Sequence, residues 1–248
     1  SDVLNNKEEY FNQRYNRNIL VNEVGEDGQK KLASSKVLIC GAGGLGSTVI
    51  ANLASVGVGN LGIVDNDVLE LSNLNRQYIH KFENIGKSKV ESAKKWINEF
   101  NPEINVKTYQ KRLNPENYSE IVKDYDLIVD CFDSFNSKFL LNEIAIKSKK
   151  RLIHGGVTEF YGQVTNIVPG ETACLKCILP DDGGYVVKGV LSPAVTTIAS
   201  IESMEALKSI LNIGEKLENK LLSYNGLNMT FRTINIERNS HCSLCSNV

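Results

Sequence analysis

The sequence lacks the extremes of composition that mark several classes of protein. Its 28 basic and 29 acidic residues nearly cancel, giving a formal net charge of −1 at pH 7. This balance argues against a nucleic-acid-binding or membrane-surface protein. Hydrophobic residues make up 42% and charged residues 23% of the 248 residues, which excludes collagen-like and disordered chains. The composition therefore predicts a folded globular protein.

Long hydrophobic runs are also missing. The apolar-leaning stretch 190–213 carries Glu202, Glu205 and Lys208, whereas a membrane span needs about 20 predominantly apolar residues. Residues 1–18 are polar and charged, without the apolar core of a secretory signal. We therefore expect no membrane segment, no targeting signal and a cytoplasmic location.

Cysteines are too few for a small fold held together by disulfides, but four of the six form two C-x-x-C pairs. The pairs are Cys174 with Cys177 and Cys242 with Cys245. Each pair can bring two thiolates to one tetrahedral ion, and four sulfur ligands are typical of a closed, structural zinc site. Disulfides or redox pairs are the alternative, which a reducing cytoplasm disfavours.

The order of apolar runs and turns predicts an α/β fold. The run Lys36–Cys40 ends in the glycine turn 41–46, and residues 47–55 continue with helical spacing. This strand–turn–helix pattern lets backbone N–H groups and a helix N-terminus approach a phosphate. Asp65 ends the next apolar run. In dinucleotide-binding folds a carboxylate at this place hydrogen-bonds the ribose of the nucleotide. Cys40, like Cys131, lies at the end of an apolar strand, and we expect both to be buried.

Strands and helices alternate up to about residue 158, which predicts a Rossmann-like fold with a mostly parallel sheet. Beyond that point antiparallel strands continue the sheet towards the zinc cysteines. We expect a single domain spanning 1–248. It comprises a helical arm at about 10–35, a nucleotide-binding part at 36–158 and a part at 159–248 that carries the zinc cysteines.

A dehydrogenase that uses NAD fits the glycine turn and Asp65 equally well. Arg76 and Lys89 favour a triphosphate, because both lie where they could converge on the same crevice. Fixed cations and a metal ion stabilise the charge that develops on phosphates and leaving pyrophosphate.

Six motifs together resemble the ThiF/MoeB/HesA family, the bacterial relatives of ubiquitin-activating enzymes. They are Arg14-Tyr-Asn-Arg17, Gly41-Ala-Gly-Gly-Leu-Gly46, Asp65-Asn-Asp67, Ser72-Asn-Leu-Asn-Arg-Gln77, Gly86-Lys-Ser-Lys89 and Asp130-Cys-Phe-Asp133. The resemblance covers roughly residues 10–245. It implies a homodimeric enzyme that uses Mg-ATP to adenylate the C-terminal carboxylate of a small ubiquitin-fold sulfur-carrier protein ending in Gly-Gly. The part 36–158 would be the ATP-binding part, and the part 159–248 would be the partner-binding and zinc part.

The resemblance also implies roles for individual residues. Arg76, Lys89 and Asp133 would act in catalysis, with Asp133 holding Mg²⁺, and Arg17 would reach into the active site of the neighbouring subunit. The residues implied in binding ATP are Gly41, Gly43, Gly44, Gly46, Asp65, Asp67, Ser72, Asn73, Leu74, Asn75, Arg76, Gln77, Lys89, Asp133 and Ser134.

Two positions depart from the family pattern. Tyr185 stands where many members carry a cysteine used in thiol transfer, and no cysteine lies between Cys177 and Cys242. A phenol cannot replace a thiolate as a sulfur nucleophile. We therefore expect adenylation without a covalent intermediate at this position, and a separate sulfur donor. The second departure is Ser134, where relatives often carry asparagine.

Three alternatives stay open. The substrate could be another carboxylate, such as that of a short peptide or a modified tRNA base. The chain could instead be a catalytically degenerate scaffold that binds a ubiquitin-fold partner, although Arg76, Lys89 and Asp133 argue for catalysis. An NAD-dependent dehydrogenase is the third. Among sulfur pathways, thiamine synthesis is slightly favoured over molybdopterin synthesis.

Overall fold

A computed structural model describes residues 2–179 and 188–248. Within them, eight strands form one sheet: β1 (Lys36–Cys40), β2 (Asn60–Val64), β3 (Asn105–Tyr109), β4 (Leu127–Asp130), β5 (Arg151–Thr158), β6 (Tyr161–Ile167), β7 (Lys220–Asn225) and β8 (Thr230–Asn235). The helices are α1 (Lys7–Arg14), α2 (Asn16–Ile19), α3 (Gly25–Ser34), α4 (Gly44–Val56), α5 (Lys89–Phe100), α6 (Tyr118–Val122), α7 (Phe135–Ser148), α8 (Leu175–Ile178) and α9 (Ser192–Leu211). Short 3₁₀ helices cover Asp2–Asn5, Leu71–Asn75 and Phe82–Asn84.

The strand order is β3-β2-β1-β4-β5-β6-β7-β8, parallel from β3 to β5 and antiparallel from β5 onwards. The predicted α/β class, with parallel strands continued by antiparallel ones, is confirmed. The order reverses between β1 and β4, and in open α/β sheets ligands bind at such a switch point, beyond the carboxyl ends of the strands. Cys40 pairs with both Val64 and Asp130, so the loops after β1, β2 and β4 leave the sheet at the same edge.

Each face of the sheet carries its own core. Alternate residues of β1 point to opposite faces, so that Val37 and Ile39 join one cluster and Leu38 and Cys40 the other. The first cluster includes buried residues of α4, α5 and α9, and the second those of α6 and α7 together with Cys174, Cys242 and Cys245. Cys40 and Cys131 are buried as predicted, and burial raises the pKa of both thiols.

The first helices are anchored to the sheet domain by a buried amide. Asn101, at the end of α5, donates from Nδ2 to the Tyr15 hydroxyl at 2.7 Å and to the Ala54 carbonyl at 3.2 Å. The predicted helical segment 10–35 therefore forms, although it begins earlier, at Lys7. None of the described helices is both long enough and apolar enough to cross a bilayer.

One strand boundary differs from the sequence-based prediction. The apolar run 126–133 predicts a strand that ends at Asp133, but β4 ends at Asp130. The Asp130 carboxylate accepts a hydrogen bond from the Phe132 amide at 3.1 Å. This bond turns the chain, so Asp133 lies in the loop that follows the strand. The pattern also missed α6 and α8, which have only 5 and 4 residues. The sequence pattern predicts a long helix over about 192–211, and α9 has these bounds.

Candidate functional site

A cavity of about 860 Å³ opens at the carboxyl edge of the parallel strands. Ten of the residues implied in binding ATP line it: Gly41, Gly43, Gly44, Asp65, Asp67, Arg76, Gln77, Lys89, Asp133 and Ser134. The fold thus brings together segments that are more than 90 residues apart in the chain, because each follows a strand that ends at this edge.

The glycine turn forms one wall of the cavity. Gly41 has φ of +110°, and a Cβ there would lie 2.3 Å from the Cys131 carbonyl oxygen, so a larger residue would push the turn away from the loop after β4. Helix α4 begins at Gly44, and its first N–H groups lack helical partners and favour an anion. Gly46 does not line the cavity: a Cβ there would lie 2.0 Å from the Gly41 carbonyl oxygen, so this glycine permits close packing of the turn.

Asp65 holds the glycine turn as well as facing the cavity. Its Oδ2 accepts from the Ala42 amide and its Oδ1 from the Asp67 amide, both at 2.8 Å. Burial raises the pKa of Asp65, against the opposing effect of these amides and of the nearby Lys89 charge. On the other side, the buried His80 ring contacts the Ala42 carbonyl through Nε2 at 2.7 Å.

Lys89 and Arg76 supply positive charge to the cavity. Lys89 is 6% exposed, and its ammonium pairs with no carboxylate among the described residues. Arg76 donates from Nη1 to Asn75 Oδ1 at 2.7 Å and forms no ion pair there either. Two cations that form no ion pair among the described residues make this wall suited to an anionic ligand.

Sequence reasoning missed other cations that line the cavity: Lys111, Arg112, Lys138 and Lys188. Lys111 and Arg112 follow β3 after one intervening residue, and their place at the end of a strand could have indicated them. Lys138 could have been noticed as a lysine near the start of a largely apolar helix. Lys188 belongs to no helix or strand, so no sequence pattern indicated it.

Besides Gly46, five predicted residues lie outside the cavity lining. Ser72, Asn73, Leu74 and Asn75 belong to the 3₁₀ helix Leu71–Asn75, and two of them accept a bond from Arg76, through the Ser72 carbonyl at 3.4 Å and Asn75 Oδ1. Arg17 is exposed on α2 and does not line the cavity of its own chain.

Asp133 and Ser134 lie between β4 and α7. Asp133 is exposed, faces the cavity and has no hydrogen-bond or ion-pair partner among the described residues. Ser134 is the N-cap of α7, and its Oγ accepts from the Ser137 amide at 3.2 Å. The departure from asparagine at this position therefore keeps a helix cap.

A buried charge cluster lies beneath this loop. Asp130 is fully buried, and its Oδ1 accepts from Lys138 Nζ at 3.2 Å. Its Oδ2 contacts His154 Nδ1 at 3.1 Å, and His154 Nε2 accepts from the Gln163 amide at 3.1 Å. Burial acts to raise the pKa of Asp130, but Lys138 and His154 hold it below its ordinary value.

The four cysteines of the two C-x-x-C pairs meet on the face of the sheet that α6 and α7 cover. Their sulfur atoms all lie within 4.8 Å of one another, with separations of 3.8 Å for Cys174 and Cys177, 3.9 Å for Cys174 and Cys242, and 3.5 Å for Cys177 and Cys245. A tetrahedral ion with Zn–S distances of about 2.3 Å would place its sulfurs about 3.8 Å apart. The arrangement therefore fits one tetrahedral metal ion.

The thiols of this centre differ in pKa, and burial raises the pKa of Cys174 and Cys245. Burial acts to raise the pKa of Cys242, but bonds from the Cys245 and Leu244 amides and from neighbouring thiols lower it to about 7. The Asn239 amide lies 3.5 Å from Cys177 Sγ. A metal ion binds thiolates and not thiols, so an ion at this centre would release protons from the remaining thiols.

Glu202 on α9 is a second buried carboxyl that the sequence patterns did not single out. It is fully buried, and neither carboxyl oxygen has a hydrogen-bond partner among the described residues. It packs on Gly155, where a Cβ would lie 2.3 Å from Glu202 Cδ. Burial raises its pKa well above the ordinary value, with a smaller opposing effect of Lys138.

The switch-point cavity, glycine turn and unpaired cations define the class of α/β nucleotide-binding proteins. Comparison with known proteins narrows this class. The ThiF family matches residues 15–244, and the chain belongs to that family. It is an adenylyltransferase, the activity named for its relatives.

Two relatives illustrate the similarity. The chain is 40% identical over 238 residues to the SAMP-activating enzyme E1 of Haloferax volcanii, covering 94% of this chain and 88% of the relative. It is 37% identical over 243 residues to the sulfur carrier protein adenylyltransferase of Thermus thermophilus, covering 94% and 90%. It spans only 60% of the probable adenylyltransferase/sulfurtransferase MoeZ of Mycobacterium tuberculosis, at 39% identity over 91% of this chain.

Solved structures of the Escherichia coli protein MccB share the fold. The crystal structure with ATP superposes with a TM-score of 0.83 at 28% identity, covering 94% of this chain and 74% of MccB. The structure with AMPCPP and MccA has a TM-score of 0.84 at 27% identity, over 94% and 74% of the two chains.

Replacing Glu202 with glutamine should remove a pH-dependent cost to stability. A carboxyl whose pKa is raised in the folded state favours folding below its unfolded pKa, and this contribution is lost as pH rises towards the folded pKa. The stability of Glu202→Gln relative to wild type should therefore grow by up to ~1.4 kcal/mol per pH unit above the ordinary glutamate range. Urea denaturation at pH 5, 7 and 9 measures the difference. If the difference in free energy of unfolding between the two proteins does not change with pH, Glu202 ionises normally.

Proposed function

We propose that this enzyme uses Mg-ATP to adenylate the C-terminal glycine carboxylate of a small ubiquitin-fold sulfur-carrier protein, releasing pyrophosphate. The observation that carries the proposal is the cavity in which the glycine turn, Asp65 and two unpaired cations surround space for a nucleotide. The names of the Haloferax and Thermus relatives support a carrier protein as substrate. Thiamine synthesis is our preferred pathway over molybdopterin synthesis.

In this proposal the nucleotide lies across the switch point. The turn 41–46 receives phosphate on its amides, with Gly43 and Gly44 nearest to it and Gly46 keeping the turn compact. Asp65 accepts hydrogen bonds from the ribose, since each carboxylate oxygen has a second lone pair beyond the bonds to Ala42 and Asp67. The remaining contacts to the nucleotide come from three residues that line the cavity, Asp67, Gln77 and Ser134. The segment of Ser72, Asn73, Leu74 and Asn75 contributes by positioning Arg76.

The chemistry requires no general base. A C-terminal carboxyl has a reference pKa of ~3.3–3.7 and is already ionised at neutral pH. One of its oxygens forms a bond to the α-phosphorus while the bond from that phosphorus to the pyrophosphate oxygen breaks. Arg76 and Lys89 stabilise the negative charge that moves onto pyrophosphate, and the cavity aligns the two reactants.

Mg²⁺ accompanies the triphosphate, and Asp133 is the residue that we assign to it. A free carboxylate facing the cavity is the oxygen ligand that magnesium prefers, and the ion usually keeps several waters and binds substrate phosphates as well. When bound, the ion neutralises phosphate charge. Asp133 would hold that ion in the cavity that Lys89 and Arg76 also line.

The carrier's tail would enter along β5. Val157 and Thr158, at the end of that strand, line the cavity, as do Lys188 and Val190 beyond the gap in the described residues. Tyr185 lies within that gap, so its position is outside the described residues. With no cysteine between Cys177 and Cys242, we propose that a separate sulfur donor attacks the adenylate.

We also propose a homodimer in which Arg17 completes the partner's active site. Arg17 is exposed, forms no hydrogen bond or ion pair among the described residues, and does not line its own cavity. The helices that carry it are fixed by the buried Tyr15, which packs against Gly57 and bonds Asn101. A cation held rigidly at the surface suits action across an interface.

Zinc is the ion that we assign to Cys174, Cys177, Cys242 and Cys245. Four sulfur ligands leave no open coordination position, so the site is structural. It would tie the chain beyond β8 to helix α8, and Arg238 reinforces this link by donating to the Gly170 carbonyl at 2.8 Å. We regard 1–248 as one adenylation domain, because the sheet continues without a break from the ATP-binding part 36–158 into 159–248.

Pyrophosphate exchange into ATP tests the adenylation. We expect wild type to catalyse exchange only with a carrier ending in Gly-Gly, and Asp133→Ala to lose it by a factor of about 10²–10³, because a group that stabilises transition-state charge is removed. Asp124→Ala, an exposed aspartate outside the cavity, is the matched control and should retain full exchange. If wild type catalyses no exchange with any of the carriers tested, the proposal is refuted. If it catalyses exchange only with a short peptide, another carboxylate substrate is favoured.

Mixed dimers test the role of Arg17. Arg17→Ala and Asp133→Ala should each be inactive alone, because each removes one half of a shared site. Co-expressed, half of the dimers contain both variants and one intact site, so activity should return to about a quarter of wild type. A mixture as inactive as its parents would show that Arg17 does not act across an interface.

Metal analysis tests the zinc site. We expect about one zinc per chain in wild type and in Cys40→Ala, whose buried cysteine is not a ligand. Cys242→Ser should lose the metal and melt at a lower temperature, because metal binding contributes to folding free energy. Folded wild-type protein without any metal would contradict the assignment.

A further inference from the structure

The buried cluster of Asp130, Lys138 and His154 has no role in the chemistry described above. Lys138 lines the cavity but is only 6% exposed. Its ammonium donates to Asp130 Oδ1 at 3.2 Å and to the Gly155 carbonyl of β5 at 2.6 Å. It therefore differs from Lys89 and Arg76, whose charges have no carboxylate partner among the described residues.

The cluster is electrically balanced without a ligand. Burial lowers the pKa of His154, which outweighs its bond to Asp130. The Gln163 amide donates to Nε2, so the proton of the neutral ring lies on Nδ1 and is donated to Asp130. The carboxylate and the Lys138 ammonium then cancel. Glu202 on α9 forms no hydrogen bond or ion pair with Lys138, and burial raises the pKa of its carboxyl well above the ordinary value.

The hydrogen bonds of Asp130 fix the loop that carries Asp133. Oδ1 accepts from the Phe132 amide at 3.1 Å as well as from Lys138, the fourth residue of α7. The ion pair thus closes the segment 130–138 at its two ends. Asp133 lies inside this segment and has no partner of its own among the described residues, so its direction depends on the closure of the loop.

The same ammonium connects the loop to β5. The Gly155 carbonyl that accepts from Lys138 lies two residues before Val157, which lines the cavity. A displacement of Lys138 would therefore alter the distance between Asp133 and the strand along which we propose the carrier tail enters.

We propose that Asp130, Lys138 and His154 are positioning residues that hold the Asp133 carboxylate in the geometry that binds the magnesium of Mg-ATP. None of the three touches the nucleotide in this assignment. The inference rests on the proposed function and extends it from the ligand to the groups that orient it. Removing such outer groups typically weakens metal binding by about 10–100-fold.

Calorimetric titration of ATP, with EDTA and then with Mg²⁺, tests the proposal on Lys138→Met. ATP without metal should bind within about twofold of wild type, because the glycine turn, Lys89 and Arg76 are unchanged. The apparent affinity for Mg²⁺ should fall at least tenfold. Lys138→Arg should recover most of it, since a guanidinium keeps the charge at this position. Lys147→Met is the control, because Lys147 is exposed on the same helix and pairs with Glu143 at 2.7 Å.

A measurement without nucleotide separates positioning from phosphate binding. Hydrogen exchange in a peptide covering 131–134 should be faster in Lys138→Met than in Lys147→Met, because the loop loses its closure. If Lys138→Met does not fold with an unpaired Asp130, the double variant Asp130→Asn/Lys138→Met removes both charges and should show the same loss of Mg²⁺ affinity.

The outcomes distinguish this inference from the proposed function. Wild type that gains no ATP affinity from Mg²⁺ would overturn the proposed function and the inference with it. If Mg²⁺ raises the ATP affinity of wild type and raises that of the folded Lys138 variants by the same factor, only the positioning role is overturned. Equal losses of ATP affinity with and without Mg²⁺ would show that Lys138 contacts phosphate directly.

Discussion

The parallel register of β1, β2 and β4 is the constraint on which the site depends. Cys40 pairs with Val64 on one side and Asp130 on the other, so three chain segments leave the sheet at one edge. Each segment then delivers a different chemical group to the cavity: a glycine turn, the Asp65 carboxylate and the loop with Asp133. A shift of one residue in either pairing would turn the side chains of a strand to the opposite face and separate these groups.

The basic side chains that line the cavity differ in whether a carboxylate already neutralises them. Lys89 and Arg76 keep their positive charge available, which suits a triphosphate, while Lys138 is committed to Asp130 beneath the loop. A buried ion pair contributes little net stability, because desolvation offsets the attraction. Its geometric effect is larger, since one ammonium connects the end of β4, the start of α7 and the middle of β5.

The ends of the chain are attached by different means. The first helices are held by the buried amide of Asn101, and the segment beyond β8 returns to the sheet through four cysteines that meet beside α7. Both attachments pack against helices that also carry or support cavity residues. The stability of the site is therefore linked to the anchoring of regions far from it in the chain.

The sequence by itself determined the class of fold, the segments that supply the site and the family, because glycine turns, strand-end carboxylates and paired cysteines are local signals with fixed spacing. It also placed β1 and α9 where the structure has them. Only the tertiary structure decided which candidates face the cavity. Gly46 serves close packing, and the segment 72–75 supports Arg76 without lining the cavity. Asp130, Lys138, His154 and Glu202 could not be linked from the sequence, since ion pairs and burial between elements depend on how helices pack on the sheet and leave no local pattern.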